Sequence, residues 1–202
     1  MTPPGPAPAG AAPPEAEPRA RILAAALTLV SELGAAGTSM RRLAAACGLN
    51  VATIYHYFPS KADLLRALIE EQRYGERLAA EDPPLARALG PHERFHRFFG
   101  WVASRTLAEE TVLRLLVGEG LHGNDVARQS ARGLLEALDA ALTSWLAAGF
   151  PELGAGTPPP VAARLTRRAL LALVVEHLAT GRADAAEHAR DLAAALFPVR
   201  AR

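Results

Sequence analysis

The 202-residue sequence predicts an all-α protein: a small N-terminal helix-turn-helix followed by a larger helical domain. Three observations carry that prediction. From Arg19 onward apolar residues recur at offsets of three to four, the helical period. Glycines, prolines and cap residues stand where such runs stop. Alternating apolar and polar runs and hairpin turns are not prominent anywhere.

Residues 1–18 hold 7 of the 16 prolines, mixed with Ala and Gly. This composition reads as a flexible tail without packed structure. The first helical run carries Ile22, Leu23, Ala26, Leu27, Val30 and Leu33, and Gly34 and Gly37 stop it. Thr38 suits the N-cap of a second, short helix in which Met40, Leu43, Ala44 and Cys47 share a face. Gly48 supplies the left-handed residue that ends it, and Asn50 caps a third helix, "VATIYHYF", closed by Pro59. Ser60-x-x-Asp63 has the form of a capping box opening a fourth helix to about Glu81, with Leu64, Leu65, Leu68 and Ile69 inward. Residues 81–93 form a punctuated connection. Further helices are expected over about 92–107, 109–118, 125–149, 160–180 and 184–197, separated by "GEGLHGND", "GFPELGAGTPPP" and Gly181. The domains expected are the tail at 1–18, a helix-turn-helix domain at 19–65 and a second domain at 66–202.

Composition narrows the function. Half the residues are apolar, enough for a sizeable core, and the net charge of +1 makes bulk attraction to nucleic acid unconvincing. Cys47 stands alone, which excludes an intrachain disulfide and a cysteine-rich metal site. No run approaches the roughly 20 apolar residues of a membrane span, and the N-terminus has neither a basic leader nor an apolar core. A cytoplasmic protein without a membrane partner is expected.

Local charge tells more. Residues 19–61 hold Arg19, Arg21, Arg41, Arg42 and Lys61 against Glu32 alone. Two short helices joined by Cys47-Gly48-Leu49-Asn50 and braced by a preceding one have the geometry that sets a recognition helix in the major groove. On the third helix Ile54 and Phe58 are four apart and should pack inward. Thr53, Tyr55, His56 and Tyr57 are left for phosphates and base edges. The alternative is a helical hairpin with half-buried tyrosines.

The segment "TSMRRLAAACGLNVATIYHYFPSKADLL" (38–65) resembles the DNA-binding segment of the TetR family of bacterial transcriptional regulators. The resemblance covers about residues 19–70 and is strongest at "TIYHYFPSKADLL". It implies an all-α homodimer with an N-terminal helix-turn-helix and a C-terminal domain for a small-molecule effector and for dimerisation. Position by position, it places Thr38, Thr53, Tyr57 and Lys61 on phosphates. Arg41 and Arg42 fall near the backbone or groove, and Tyr55 and His56 at the groove or its edge. Val51 and Ala52, also on the recognition helix, depart from the Lys or Pro followed by Gly that the family often carries, which leaves the operator sequence open. The family's dimeric four-helix interface corresponds to 160–180 and 184–197, with Leu165, Ala169, Ala172, Leu173, Leu192 and Leu196 as interface candidates. "ALLALVV" (169–175) fits that role because, lacking a polar face, it should be buried on two sides.

Residues 92–150 concentrate Phe95, Phe98, Phe99, Trp101, Trp145 and Phe150. Phe98, Trp101 and Trp145 are candidates to line an effector cavity, with Arg105, Glu119 and His122 as polar anchors. A partly apolar effector follows from such a lining; a plain aromatic core is the other reading, and it would favour a DNA-binding protein without a small-molecule effector.

Two motifs compete with this picture. Gly118-x-Gly120-x-x-Gly123 follows the strand-capable "TVLRLLV" but lacks the second strand of a βαβ unit, so an interhelical loop capped by Asn124 or Asp125 is expected. His92-Glu93-x-x-His96 has the zinc-protease spacing, and a zinc-dependent hydrolase is the rival function from another class. Against it, His92 lies in the first helical turn after Pro91 and Arg94 sits within the motif. The expected protein is therefore not an enzyme and uses no cofactor or metal. It is a ligand-responsive repressor that binds double-stranded palindromic operator DNA.

Overall fold

The computed structural model describes residues 17–72, 76–77, 80–121 and 123–198. The expectation for the tail at 1–18 thus lies, apart from Glu17 and Pro18, outside the described residues. The chain divides into two compact units at Leu64 and Leu65, and no strand occurs among the described residues.

The first unit contains α1 (Pro18–Gly37), α2 (Met40–Cys47) and α3 (Val51–Tyr57). α1 presents Ile22, Leu23, Ala26 and Val30 to its core, where they join Met40, Leu43 and Ala44 of α2 and Ile54 of α3. Gly34 kinks α1 rather than ending it, taking φ 70° and ψ 167°, and the helix closes at Gly37. By length and composition α1 is also apolar enough to cross a membrane, with mean hydropathy 1.4, which corrects the expectation that no run approaches that limit. Its apolar face packs within the helix-turn-helix unit instead.

The cap of α2 shifts by one residue from the expected Thr38. Ser39 has the extended backbone of an N-cap, and its hydroxyl accepts the Arg42 N–H at 3.2 Å. Thr38 is 2% exposed and donates its hydroxyl to the Gly34 carbonyl at 2.9 Å, closing the kinked end of α1.

α4 (Lys61–Gln72) follows, and its described part stops short of the expected Glu81, which lies in a bend. Ser60 caps it by accepting the Asp63 N–H at 3.1 Å, while its own hydroxyl donates to the Asp63 carboxylate at 2.7 Å. Leu64, Leu65 and Leu68 are buried and Ile69 is half-buried.

The second unit contains α5 (Pro91–Leu107), α6 (Glu110–Leu121), α7 (Asp125–Gly149), a short 3₁₀ helix (Pro151–Ala155), α8 (Pro159–Thr180) and α9 (Ala185–Leu196). α6 runs straight through Gly118 and Gly120, and the strand-capable segment before them is helical, so the nucleotide fingerprint dissolves into a helix end. Among its glycines only Gly123 takes positive φ, and the Asn124 side chain caps α7 by accepting the Ala127 N–H at 3.3 Å.

α5 supplies the centre of the core. Phe95, Phe98, Phe99 and Val102 are fully buried, and Leu142 and Leu146 of α7, Leu170 and Leu173 of α8 and Ala189 and Ala193 of α9 surround them. Phe95 meets Phe98, Phe150 and Phe197 at centroid distances of 5.8–6.0 Å in this cluster of tilted and edge-on rings. Arg94 enters the same core almost completely buried, its guanidinium 4.9 Å from the Phe150 ring centre.

Candidate nucleic-acid interface

The turn between α2 and α3 is built from two backbone devices. Gly48, at φ 65°, is the left-handed residue that stops α2, and its N–H reaches the carbonyls of Ala44 and Ala45. Asn50 then opens α3: its Oδ1 accepts both the Thr53 N–H at 2.7 Å and the Thr53 hydroxyl at 2.9 Å. Ile54 and Phe58, 0% and 2% exposed, pin α3 to the unit from one side. The Arg19 guanidinium lies 5.6 Å from the Phe58 ring centre, and Arg21 donates to the Cys47 carbonyl at 3.4 Å, bracing the turn against α1.

What remains on the outside of α3 is a compact polar and aromatic surface. Tyr55 is 48% exposed, Ala52 and His56 are exposed, and Val51, Thr53 and Tyr57 are half-buried. The His56 ring stands edge-on to Tyr57, with centroids 5.3 Å apart. Lys61 is half-buried at the start of α4. This surface carries hydroxyls and an imidazole, a mixture that suits phosphate positioning and base-edge contact.

The two adjacent arginines of α2 differ. Arg41 is exposed, whereas Arg42 spends one guanidinium nitrogen on the Gly37 carbonyl at 2.7 Å and so ties α2 to the end of α1. Thr38 is buried, and its hydroxyl is committed to the Gly34 carbonyl. Exposed Ser39 stands at the helix start in its place. Burial pushes the Cys47 thiol pKa up, and the Arg21 charge only partly opposes this.

The candidate effector residues do not converge on one cavity. Phe98 is fully buried, edge-on to Trp145 and Phe150. Trp145 is 9% exposed and stands edge-on to half-buried Trp101 at 5.6 Å. The Arg105 guanidinium lies 5.9 Å from the Trp101 ring centre and pairs with Glu81 at 3.0 Å. Glu119 instead accepts from the Asn124 side-chain amide at 3.1 Å. His122 lies outside the described residues. A groove of about 420 Å³ runs between α8 and α9 past Ala169, Glu176, Glu187, His188, Asp191 and Leu192.

The interface candidates also separate. Leu173 and Leu196 are 1% and 4% exposed within the chain's own core. Leu165, Ala169 and Leu192 are half-buried and Ala172 is exposed. Sequence reading passed over Leu171 and Val175, which are 38% and 57% exposed on α8. Their neighbours in "ALLALVV" are equally apolar, so no periodic signal marked which side faced outward.

The zinc-like motif is dispersed among other partners. Glu93 pairs with Arg97 at 3.1 Å, and the exposed His92 ring meets Phe197 edge-on. Among the described residues no group of three His, Cys, Asp or Glu side chains gathers to hold a metal.

Comparison with known proteins follows the same division. The profile of bacterial regulatory proteins of the tetR family matches residues 22–68. The HTH-type transcriptional regulator UidR of Escherichia coli strain K12 is 37% identical over 83 residues, 41% of this chain and 38% of UidR. The match thus spans well under half the length of that curated relative. Similarity of structure reaches further. GusR of Salmonella enterica superimposes with a TM-score of 0.61 at 26% identity, covering 89% of this chain and 91% of GusR. The multidrug binding protein EbrR, solved in complex with proflavin, gives 0.62 at 22% identity, covering 90% of this chain and all of EbrR. Residues 22–68 thus match the tetR-family helix-turn-helix of bacterial regulatory proteins, and the chain as a whole shares its fold with GusR and EbrR.

Proposed function

We propose that this regulator is a ligand-responsive repressor that acts in the cytoplasm by binding a palindromic DNA operator as a homodimer. The carrying observation is the outward face of α3, where exposed Tyr55 and His56 share a helix with Thr53 and Tyr57 that is fixed by its Asn50 cap and its Ile54 anchor, with Arg41 on α2 and Lys61 at the start of α4 as the flanking cations in sequence. Hydroxyls and cations would position the protein on phosphates, and Tyr55 and His56 would read the groove, with Val51 and Ala52 at the helix start. A single α3 offers too little surface for specific binding. Two copies on half-sites one helical turn or more apart would supply the remainder. The outward apolar face of α8, with Leu171, Ala172 and Val175, supports the dimer.

The effector reading places a partly apolar molecule in the second unit, near Trp101 and Trp145, with Arg105 as the polar neighbour. EbrR, which shares the fold, was crystallised with proflavin, and this supports a small-molecule input. Its action would be a population shift: an effector with higher affinity for the released state draws molecules away from the DNA-bound one.

The test is binding to promoter fragments flanking the protein's own gene, comparing wild type with Tyr55→Ala and Lys61→Ala. Tyr55→Ala should lower affinity with loss of sequence preference. Lys61→Ala should weaken binding to all sequences and flatten its salt dependence by about one charge. Unchanged binding in both variants sinks the assignment of the α3 surface.

A further inference from the structure

The outermost ridge of α3 follows from its anchor. Ile54 is 0% exposed and points inward, and each further residue along a helix turns by about 100°. Ala52 and His56, two before and two after it, therefore fall on the opposite side, four apart and on one stripe. Both are exposed, and Tyr55 beside them is 48% exposed. Val51 and Thr53 are half-buried, and the Thr53 hydroxyl proton goes to Asn50 Oδ1 at 2.9 Å. The residue types of this ridge are unusual for a helix that reads bases. From Val51 to Tyr57 there is no Arg, Lys, Asn, Gln, Asp or Glu. The forked side chains that bind guanine or adenine through two hydrogen bonds, and the carboxylates that accept from cytosine, are thus missing from α3. A tyrosine hydroxyl and a neutral imidazole each both donate and accept, so neither separates the four bases sharply. The Ala52 methyl does separate them, because thymine is the one base that presents a methyl in the major groove.

Resting on the operator-binding reading of α3 given above, we propose that Ala52 selects thymine by packing its methyl against the thymine C5-methyl, with His56 on a base pair about two steps away. Ala52 lies in the first turn of α3, the end that meets base edges in helix-turn-helix proteins. From Ala52 to His56 the helix rises about 6 Å, close to two base-pair steps of about 3.4 Å when its axis follows the groove. The short alanine side chain requires α3 to seat deep in the groove, and the half-buried Val51 next to it extends the apolar surface. Each contact is modest, since one buried methyl group contributes on the scale of a single CH₂ transfer, but two half-sites double it. Discrimination comes by difference: at any other base the Ala52 methyl faces a polar edge or a gap, and polar groups of the groove lose water without gaining a partner.

The experiment selects duplexes from a random-sequence pool with the full chain, then remakes the enriched duplex with uracil at single thymines in both half-sites. Uracil keeps the base pair and removes only the methyl. Wild type should bind about tenfold more weakly when one symmetric pair of thymines is replaced, and other replacements should have little effect. Ala52→Gly should bind the thymine and uracil duplexes equally, both at about the affinity of wild type for the uracil duplex. If Ala52→Gly loses helical circular dichroism, Ala52→Ser takes its place, with the same loss of the thymine preference expected. A pool in which no sequence is enriched overturns the operator-binding reading of α3, and this proposal with it. Enrichment of a sequence that tolerates uracil at every thymine leaves α3 as the reader and overturns the methyl contact. A uracil penalty equal in wild type and Ala52→Gly likewise overturns it, because the methyl is then sensed without Ala52.

Discussion

The Arg94 guanidinium lies 2.6 Å from the Glu152 carboxylate, and the two ends of this ion pair live in different solvents. Arg94 is 5% exposed and stacked on Phe150, whereas Glu152 is 41% exposed on the 3₁₀ helix. The Arg94 Nε has no hydrogen-bond partner, so Glu152 and the Phe150 ring carry most of the compensation for a buried cation.

The consequences of removing each partner are unequal. Without its carboxylate, Arg94 remains buried and uncompensated; without the guanidinium, Glu152 simply hydrates. Glu152→Gln should therefore cost about 1–2 kcal/mol, a value discounted for the exposure of the carboxylate. Arg94→Met, which keeps the apolar stem, should cost less. Urea denaturation of both variants checks the order, and a larger loss for Arg94→Met would show that the guanidinium itself is the stabilising element.

The same pair sets a pH dependence. Partial burial alone would raise the Glu152 pKa, but a backbone hydrogen bond and the hydrogen bond and charge of Arg94 outweigh it, and the pKa is lowered. A carboxylate with a depressed folded pKa stabilises above its unfolded value, about 4.3, and that contribution disappears as pH falls through the folded value. Wild type should lose more stability than Glu152→Gln between pH 5 and the acid limit, as read from denaturation midpoints. Parallel acid limbs would show that the pair does not report on folding.

What was legible in the sequence was what depends on neighbours in the chain. Gly48, Asn50, Ser60 and Asn124 cap helices because their side chains or φ angles act within three residues. The recognition face of α3 was legible for the same reason, since Ile54 and Phe58 identify the inward side of a short helix. Pairings between distant elements were not. Nothing near Arg94 announces Glu152, and Leu173 and Leu196 turned inward because other helices, not their own sequence, decide which side of an all-apolar helix is covered. The shift of the α2 cap from Thr38 to Ser39 is the intermediate case. Two adjacent hydroxyl residues fit equally well by type, and the kink at Gly34 selects between them.

Arg41 and Arg42 should separate in experiment although they are adjacent. Arg41→Ala should reduce DNA affinity and lower the salt slope by about one charge, with stability unchanged. Arg42→Ala removes the hydrogen bond to the Gly37 carbonyl and should cost about 1 kcal/mol of stability. Paired binding isotherms and thermal melts check this; equal stability losses would erase the distinction.

Thr38 and Ser39 form a similar pair. Thr38→Val keeps the buried shape and loses the hydroxyl bond to Gly34, so it should destabilise by about 1 kcal/mol without changing operator affinity. Ser39→Ala removes the cap of α2 at a cost of about 1 kcal/mol and strips a hydroxyl from the exposed start of that helix. If Thr38→Val lowers operator affinity at full folding, the buried threonine acts on DNA after all.

The aromatic core bears on how a signal enters. Phe98 is sealed between Phe95, Trp145 and Phe150, so a ligand among these rings must displace side chains rather than fill an existing space. Phe98→Ala should cost about 3–5 kcal/mol and leave a dry apolar cavity. Indole should then bind the variant and, at about 100 times its dissociation constant, return about 2.7 kcal/mol. For a chain of this size that is about 5–10 °C in melting temperature. Wild type should show no such rise, because its rings already occupy the volume. An equal rise in wild type would mean that the cluster opens readily. The Trp101–Trp145 pair would then border the effector's entry, and its emission should change on binding.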